Sequence, residues 1–147
     1  KRQPLSEDKR LTVMVLDIDG FKQVNDRWGH ECGDCVLAQF AQQVRLLVGE
    51  EGMVARIGGE EFAVAALTSS ERDGQVLAEK IRQGIESQTF TWGQYKIQLT
   101  VSMGLESQPL ATARVTDLFN QLLMEADDSM IRAKRAGRNR IFTHEMA

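Results

Sequence analysis

Positive charge is not in excess in this chain, and that shortage narrows its partners first. The 18 lysines and arginines are outnumbered by 21 aspartates and glutamates, giving a net charge of -3 and a pI near 5.4. A duplex nucleic-acid binder needs a basic face, so no nucleic-acid partner is expected and any ligand must be recognised by a local site. Long apolar runs are missing too. None approaches the ~20 residues that span a bilayer, and Lys1 to Arg10 lacks the apolar segment of a signal peptide. No membrane contact by this segment is expected, and a cytoplasmic location follows, free or as the cytosolic part of a membrane-anchored protein. Cysteine and histidine occur only twice each. Cys32 and Cys35 have the spacing of a redox pair or half a zinc site, with His30 beside them, but a structural zinc site wants four ligands and His144 lies near the other end. Free thiols in a reducing compartment are the expectation. Internal repeats and low-complexity tracts are absent.

What is present fits one globular domain: 147 residues, 42% hydrophobic, enough to bury a sizeable core. Residues 1–10 are polar and read as a linker or disordered entry, with the domain running over 11–147. Leu11 to Leu16 is a nearly continuous apolar, β-branched run, the mark of a central strand covered on both faces. A short helix over Phe21 to Arg27 follows. Val36, Leu37, Phe40, Val44, Leu47 and Val48 recur at helical spacing, with Gly49 as the stop. Met53-Val54-Ala55 and Phe62 to Leu67 flank Gly58-Gly59 and read as a tight hairpin, the glycines supplying positive φ. Ser69-Ser70-Glu71 offers an N-cap to a second amphipathic helix ending near Ser87. Gly93-Gln94 is a hairpin signal between Thr89 to Trp92 and Tyr95 to Leu105, the latter a strand alternating strictly, with one buried face. After a loop with Pro109 comes a third long helix from Val115, stopped by Gly137, and an edge strand over Asn139 to Thr143. This order fits an α/β sandwich in which an antiparallel strand is inserted between two parallel ones, the ferredoxin-like arrangement.

The hairpin tip carries Glu60 and Glu61, adjacent like charges that repel unless a cation or donor neutralises them. A solvated acidic turn would explain them equally. If the strand from Phe62 pairs antiparallel with the first strand, however, Asp17 comes to lie beside both glutamates. Carboxylates fixed at strand ends are what hard divalent cations require. An EF-hand starting at Asp17 is excluded, because Phe21 and Lys22 stand at a ligand and at the turn glycine, and Trp28 replaces the closing glutamate.

With Asp17-Ile18-Asp19-Gly20-Phe21-Lys22 and Asn25-Asp26, Gly29-His30-x-x-Gly33-Asp34, Gly58-Gly59-Glu60-Glu61-Phe62, and finally Ala126-Asp127 and Ala133-Lys134-x-x-Gly137-Arg138-Asn139, the chain resembles the GGDEF domains, the diguanylate cyclases. The resemblance implies a nucleotidyl-cyclase palm with a central, mostly antiparallel sheet flanked by helices. It also implies condensation of two GTP into cyclic di-GMP and two pyrophosphates by two domains facing each other antiparallel. By the same resemblance Asp17, the Ile18 carbonyl and Glu60 hold Mg²⁺ or Mn²⁺, and Glu60 and Glu61 are catalytic, Glu61 coordinating or activating the attacking hydroxyl. Asn25 and Asp34 read guanine, while Phe21, Lys22, His30, Lys134 and Arg138 complete the substrate site. Lys134 and Arg138, four apart, would share one face of a continuing helix. The partners implied are GTP, a second GGDEF domain, and a sensory or membrane domain upstream in the parent protein.

Three departures qualify the resemblance. Gly49 and Gly52 stand at the two charged positions of the family's inhibitory Arg-x-x-Asp site, so tight product inhibition is not expected. The usual Asp-x-Leu-Thr-x-Leu-x-Asn-Arg segment is not found in residues 1–10, which is expected to leave the nucleotide pocket short of a wall and the isolated piece weak or inactive. Ile131 replaces a common tyrosine and reads as core packing. An alternative of another class is a degenerate domain that senses GTP or cyclic di-GMP.

Overall fold

The computed structural model describes residues 9–110 and 114–144, so the expected linker at 1–10 lies almost wholly outside the described residues. Strand β1 (Arg10–Ile18) is the centre of the sheet, and every residue from Leu11 to Ile18 is buried, as its unbroken apolar run demands. Helices α1 (Phe21–Trp28) and α2 (His30–Val48) lead to the hairpin β2 (Gly52–Arg56) and β3 (Glu61–Thr68). Helix α3 (Glu71–Ser87) starts at Ser70, whose hydroxyl accepts from the Asp73 amide at 3.1 Å, the expected N-cap. Then come β4 (Thr89–Trp92), β5 (Tyr95–Gln98), β6 (Val101–Pro109), α4 (Val115–Arg135) and β7 (Ile141–Thr143).

The main sheet runs β2-β3-β1-β6-β7, antiparallel throughout except for the β6–β7 pair. Strand β3 lies antiparallel between β2 and β1, the ferredoxin-like order. Alternation along β1 then decides what each face holds. Met14, Leu16 and Ile18 join Val36, Phe40 and Val44 of α2 and Ile81 and Ile85 of α3 in the larger core. On the other face Val13 packs with Leu118 and Leu122, and Val15 with Ala126 and Met130, all from α4. Asp17, two residues beyond Val15, therefore turns toward α4. That helix lies against bare backbone: a Cβ on Gly104 of β6 would fall 1.8 Å from the Ala126 carbonyl oxygen. Only glycine fits there.

Several expectations need correcting. Tyr95 to Leu105 is not one strand, because the chain breaks between Gln98 and Val101, and β4–β5 forms a two-stranded sheet of its own. The break lets the Thr100 hydroxyl turn to Asp19. Val101 to Leu105 are buried on both faces, since α4 covers the side that alternation assigned to solvent. Pro109 ends β6 rather than sitting in a loop. Neither Gly58 nor Gly59 takes positive φ. The tip is held instead by the Arg56 guanidinium, which donates to the Gly58 and Gly59 carbonyls at 2.6–3.1 Å. Helix α4 stops at Arg135, with Arg138 at φ 66, so Lys134 and Arg138 do not share a helical face. Closure comes from the Arg138 amide donating to the Ala133 carbonyl at 3.0 Å, across the Gly137 turn. Ile131 is 37% exposed and is not core packing.

Candidate functional site

The register pairs Asp17 with Glu61, and the Ile18 amide donates to the Glu60 carbonyl at 3.4 Å, so the acidic tip and the end of β1 are one unit. Residues directly opposite in an antiparallel pair point to the same face. Asp17 and Glu61 therefore both look toward α4. From that helix Lys134 reaches back: its ammonium lies 2.8 Å from Asp17 Oδ1, 3.0 Å from Asp19 Oδ1 and 3.2 Å from the Ile18 carbonyl oxygen. Two of the three atoms assigned by resemblance to a metal ion are thus held by a lysine.

Two aspartates two residues apart play different parts. Asp19 is saturated: Thr100 and Ser102 hydroxyls donate to it at 2.7 Å each, and the Asn139 amide and Lys134 at 3.0 Å. Burial pushes its carboxyl up, but those hydrogen bonds and the ammonium outweigh it and hold it below the usual range. Asp17 is as deeply buried, yet its Oδ1 has no hydrogen-bond donor, because Lys134 stands at ion-pair distance without the angles of a hydrogen bond. A buried carboxylate oxygen held by one ammonium alone, with no hydrogen bond among the described residues, is poorly satisfied and leaves room for a ligand.

The surroundings are overloaded with negative charge. Burial and the Asp17 carboxylate push Glu60 up, Lys134 partly offsetting them. Burial, Asp127, Asp17 and Glu60 do the same to Glu61. Asp127 is raised by burial, Asp128 and Asp17. Asp127 has no role in the sequence pattern, although its spacing of two helical turns from Lys134 puts both on one side of α4. Asp19, Thr100, Ser102 and Asn139 went unassigned as well. Polar residues in the otherwise apolar start of β6 were the available signal.

A hard divalent cation fits this donor set: a carboxylate oxygen without a donor, a strand-end carbonyl, and a surplus of acids. Among the described residues no three side chains of His, Cys, Asp or Glu converge on one point. The implied set has only two carboxylates and a main-chain oxygen, which leaves places for water and phosphate oxygens, as Mg²⁺ prefers.

A second group forms around α1 and the start of α2. A Cβ on Gly33 would lie 1.8 Å from Asn25 Oδ1 and 3.2 Å from Phe21 Cζ, so this helical glycine makes room for Asn25 beside Asp34. Asn25 Oδ1 is also buried without a partner, whereas Asp34 is exposed. Phe21 is core, as its main-chain role allows. Lys22 is exposed and pairs with Asp26 at 3.9 Å; His30 and Arg138 are exposed. None of the three is drawn into the acidic network. Cys32 is buried and Cys35 half-buried, both as free thiols. Gly49, at φ 79, closes α2, and a Cβ on Gly52 would meet Val48 Cγ1 at 2.5 Å, so the inhibitory-site positions are occupied by structural glycines.

The family model for the GGDEF domain of diguanylate cyclases matches residues 1–140. The probable diguanylate cyclase DgcF of Escherichia coli K12 is 51% identical over 97% of this chain, which spans 45% of that relative's length. Among solved structures, the GGDEF domain of YfiN (TpbB) from Pseudomonas aeruginosa aligns with TM-score 0.83 and 31% identity, covering 93% of this chain and 83% of that one. The active GGEEF domain of a diguanylate cyclase from Vibrio cholerae aligns with TM-score 0.76 and 30% identity, covering 92% and 83% respectively. No helix among the described residues is long and apolar enough to cross a membrane. On the matched family model, the shared fold and the paired acidic strand ends, this chain belongs to the GGDEF domain family of diguanylate cyclases.

Proposed function

We propose that the chain is the catalytic domain of a diguanylate cyclase, condensing two GTP into cyclic di-GMP with release of two pyrophosphates when two such domains face each other on the cytoplasmic side. The observation that carries this reading is the Asp17–Glu61 register, with an Asp17 oxygen that has only the Lys134 ammonium for a partner beside the Ile18 carbonyl. Asp17, the Ile18 carbonyl and Glu60 would hold Mg²⁺ or Mn²⁺, which supplies charge neutralisation on the phosphate oxygens. Lys134 and Arg138 bind the triphosphate, with the main chain at Gly20 to Lys22 along the same phosphates. Asn25 and Asp34 read the guanine edge. A carboxylate accepts from guanine N1–H and N2–H₂, donors that adenine does not offer together, so GTP is chosen over ATP. Glu61, raised by burial and by Asp127, suits a proton acceptor for the attacking ribose 3′-hydroxyl.

The name of DgcF and the activity ascribed to the Vibrio domain support the same chemistry. A product-sensing role has less support, because glycines at positions 49 and 52 provide no arginine fork for a guanine nucleotide. The test is to incubate the full-length protein with GTP and Mg²⁺ and separate the products by chromatography. Cyclic di-GMP should appear with wild type and vanish with Glu60→Ala. A silent wild type, or product undiminished in the variant, sinks the reading.

A further inference from the structure

We infer that Lys134 is a resident counter-ion that competes with the divalent cation for Asp17 and the Ile18 carbonyl, and that a bound triphosphate admits the cation by drawing the ammonium away. The inference rests on the reading of the site given under Proposed function and adds how its two ligands depend on one another. The ammonium is 2.8 Å from Asp17 Oδ1 and 3.2 Å from the Ile18 carbonyl oxygen, both within the shell a cation would need. The ammonium and a metal ion cannot occupy the same oxygens at once, and two cations held that close repel.

The geometry also says what happens when Lys134 leaves. Asp19, its third partner, keeps the Thr100 and Ser102 hydroxyls and the Asn139 amide, so its charge remains solvated by fixed donors. Asp17 has no such reserve, its Oδ1 being without any donor even now. Departure of the ammonium is therefore tolerable only if another cation takes over Asp17. The lysine side chain is 20% exposed and sits within one residue of the helix end, free to turn outward to phosphate oxygens. Metal and triphosphate then bind with positive coupling, and by linkage each must tighten the other by the same factor.

The probe is Mn²⁺, its free fraction read by electron paramagnetic resonance with the full chain. Wild type should bind Mn²⁺ weakly alone and more tightly with a non-reactive α,β-methylene analogue of GTP. Lys134→Gln should bind Mn²⁺ alone on the order of tenfold more tightly than wild type, a typical size for such coupling, and gain less from the nucleotide. A poorly folded variant would bind little of anything, so wild type is tested directly as well. Acetylation of Lys134 by acetic anhydride, followed by mass spectrometry, should rise when Mn²⁺ is added alone and fall again with the triphosphate analogue. Unchanged or weaker Mn²⁺ binding by folded Lys134→Gln, or labelling indifferent to Mn²⁺, overturns the inference alone if wild type still binds Mn²⁺ with nucleotide and Glu60→Gln does not. Should wild type bind no Mn²⁺ even with nucleotide, the metal–nucleotide reading of the site falls with it.

Discussion

At the N-terminal end of β1, Thr12 shares a hydrogen bond with Thr68 at 2.8 Å and donates to Ser107 at 3.1 Å, while Arg10 donates to the Ser107 hydroxyl at 2.9 Å and its carbonyl at 3.1 Å. At the C-terminal end, Asp17 Oδ1 has an ammonium 2.8 Å away and no hydrogen bond among the described residues, and the Glu60, Glu61 and Asp127 carboxyls are raised by burial and by neighbouring charge. Both ends are buried and polar, and both tie β1 to its two neighbours. The first is a closed network whose groups satisfy one another, which is how structural polar clusters are built. The second is left short of donors and long in charge, an arrangement that stability alone does not explain. The contrast separates a strand end closed on itself from one left open to a ligand.

The sharpest way to break that contrast is Glu60→Gln. It should lower cyclic di-GMP formation by roughly a hundredfold or more, the scale seen when one preorganised charge-stabilising group is lost, without lowering the thermal midpoint. A variant that kept activity would put the acidic end on the structural side. Asp19→Ala comes next, because it strips the partner from Lys134, Thr100, Ser102 and the Asn139 amide together. Breaking such a buried charged cluster costs about 3 kcal/mol, measurable by urea unfolding, and a loss below about 1 kcal/mol would mean that water replaces the carboxylate freely. Thr12→Val at the opposite end should cost about 1 kcal/mol while leaving turnover per folded molecule intact. Lost turnover there would show that the two ends are coupled.

The smallest effect is also the most diagnostic in sign. Glu61 carries a carboxyl raised above its ordinary 4.5, so its charge weighs against folding of the metal-free protein at neutral pH. Glu61→Gln should therefore raise the metal-free melting temperature slightly at pH 7. As pH falls, the folded wild-type carboxyl protonates first, at its raised value, and the unfolded one around 4.5, so the advantage of the variant should fade over that window and be gone below 4.5. Saturating Mg²⁺ with nucleotide should shrink that difference at pH 7, since a cation bound beside Glu61 offsets its charge in wild type.

Much of this was legible in the sequence. An unbroken apolar run made β1 central, the 3.6-residue period fixed α2 and α3, and antiparallel pairing of two runs brought Asp17 to Glu60 and Glu61. Most places where reading failed share a physical cause, contacts between residues far apart along the chain; the Gly58-Gly59 tip is the local exception, held by Arg56 from two and three residues away. Thr100 stands between β5 and β6 with its hydroxyl on Asp19, and the turn after α4 brings the Asn139 amide to the same carboxylate. Arg82 secures that loop from α3 by donating to the Asn139 side chain at 2.8 Å, which no local pattern announces. Lys134 was readable as a phosphate ligand by resemblance, but its present seat between Asp17 and Asp19 was not.

The bare contact between Gly104 and the Ala126 carbonyl has a temporal consequence. With no side chain between them to yield, α4 has no soft layer on which to slide or tilt against β6, so the backbone that carries Lys134 is fixed in height above Asp17. Exchange of ammonium for metal is left to the four torsions of one lysine side chain. Turning one side chain requires no movement of helices on the microsecond to millisecond scale, so cation entry should be gated by the arrival of nucleotide and not by any rearrangement of the fold.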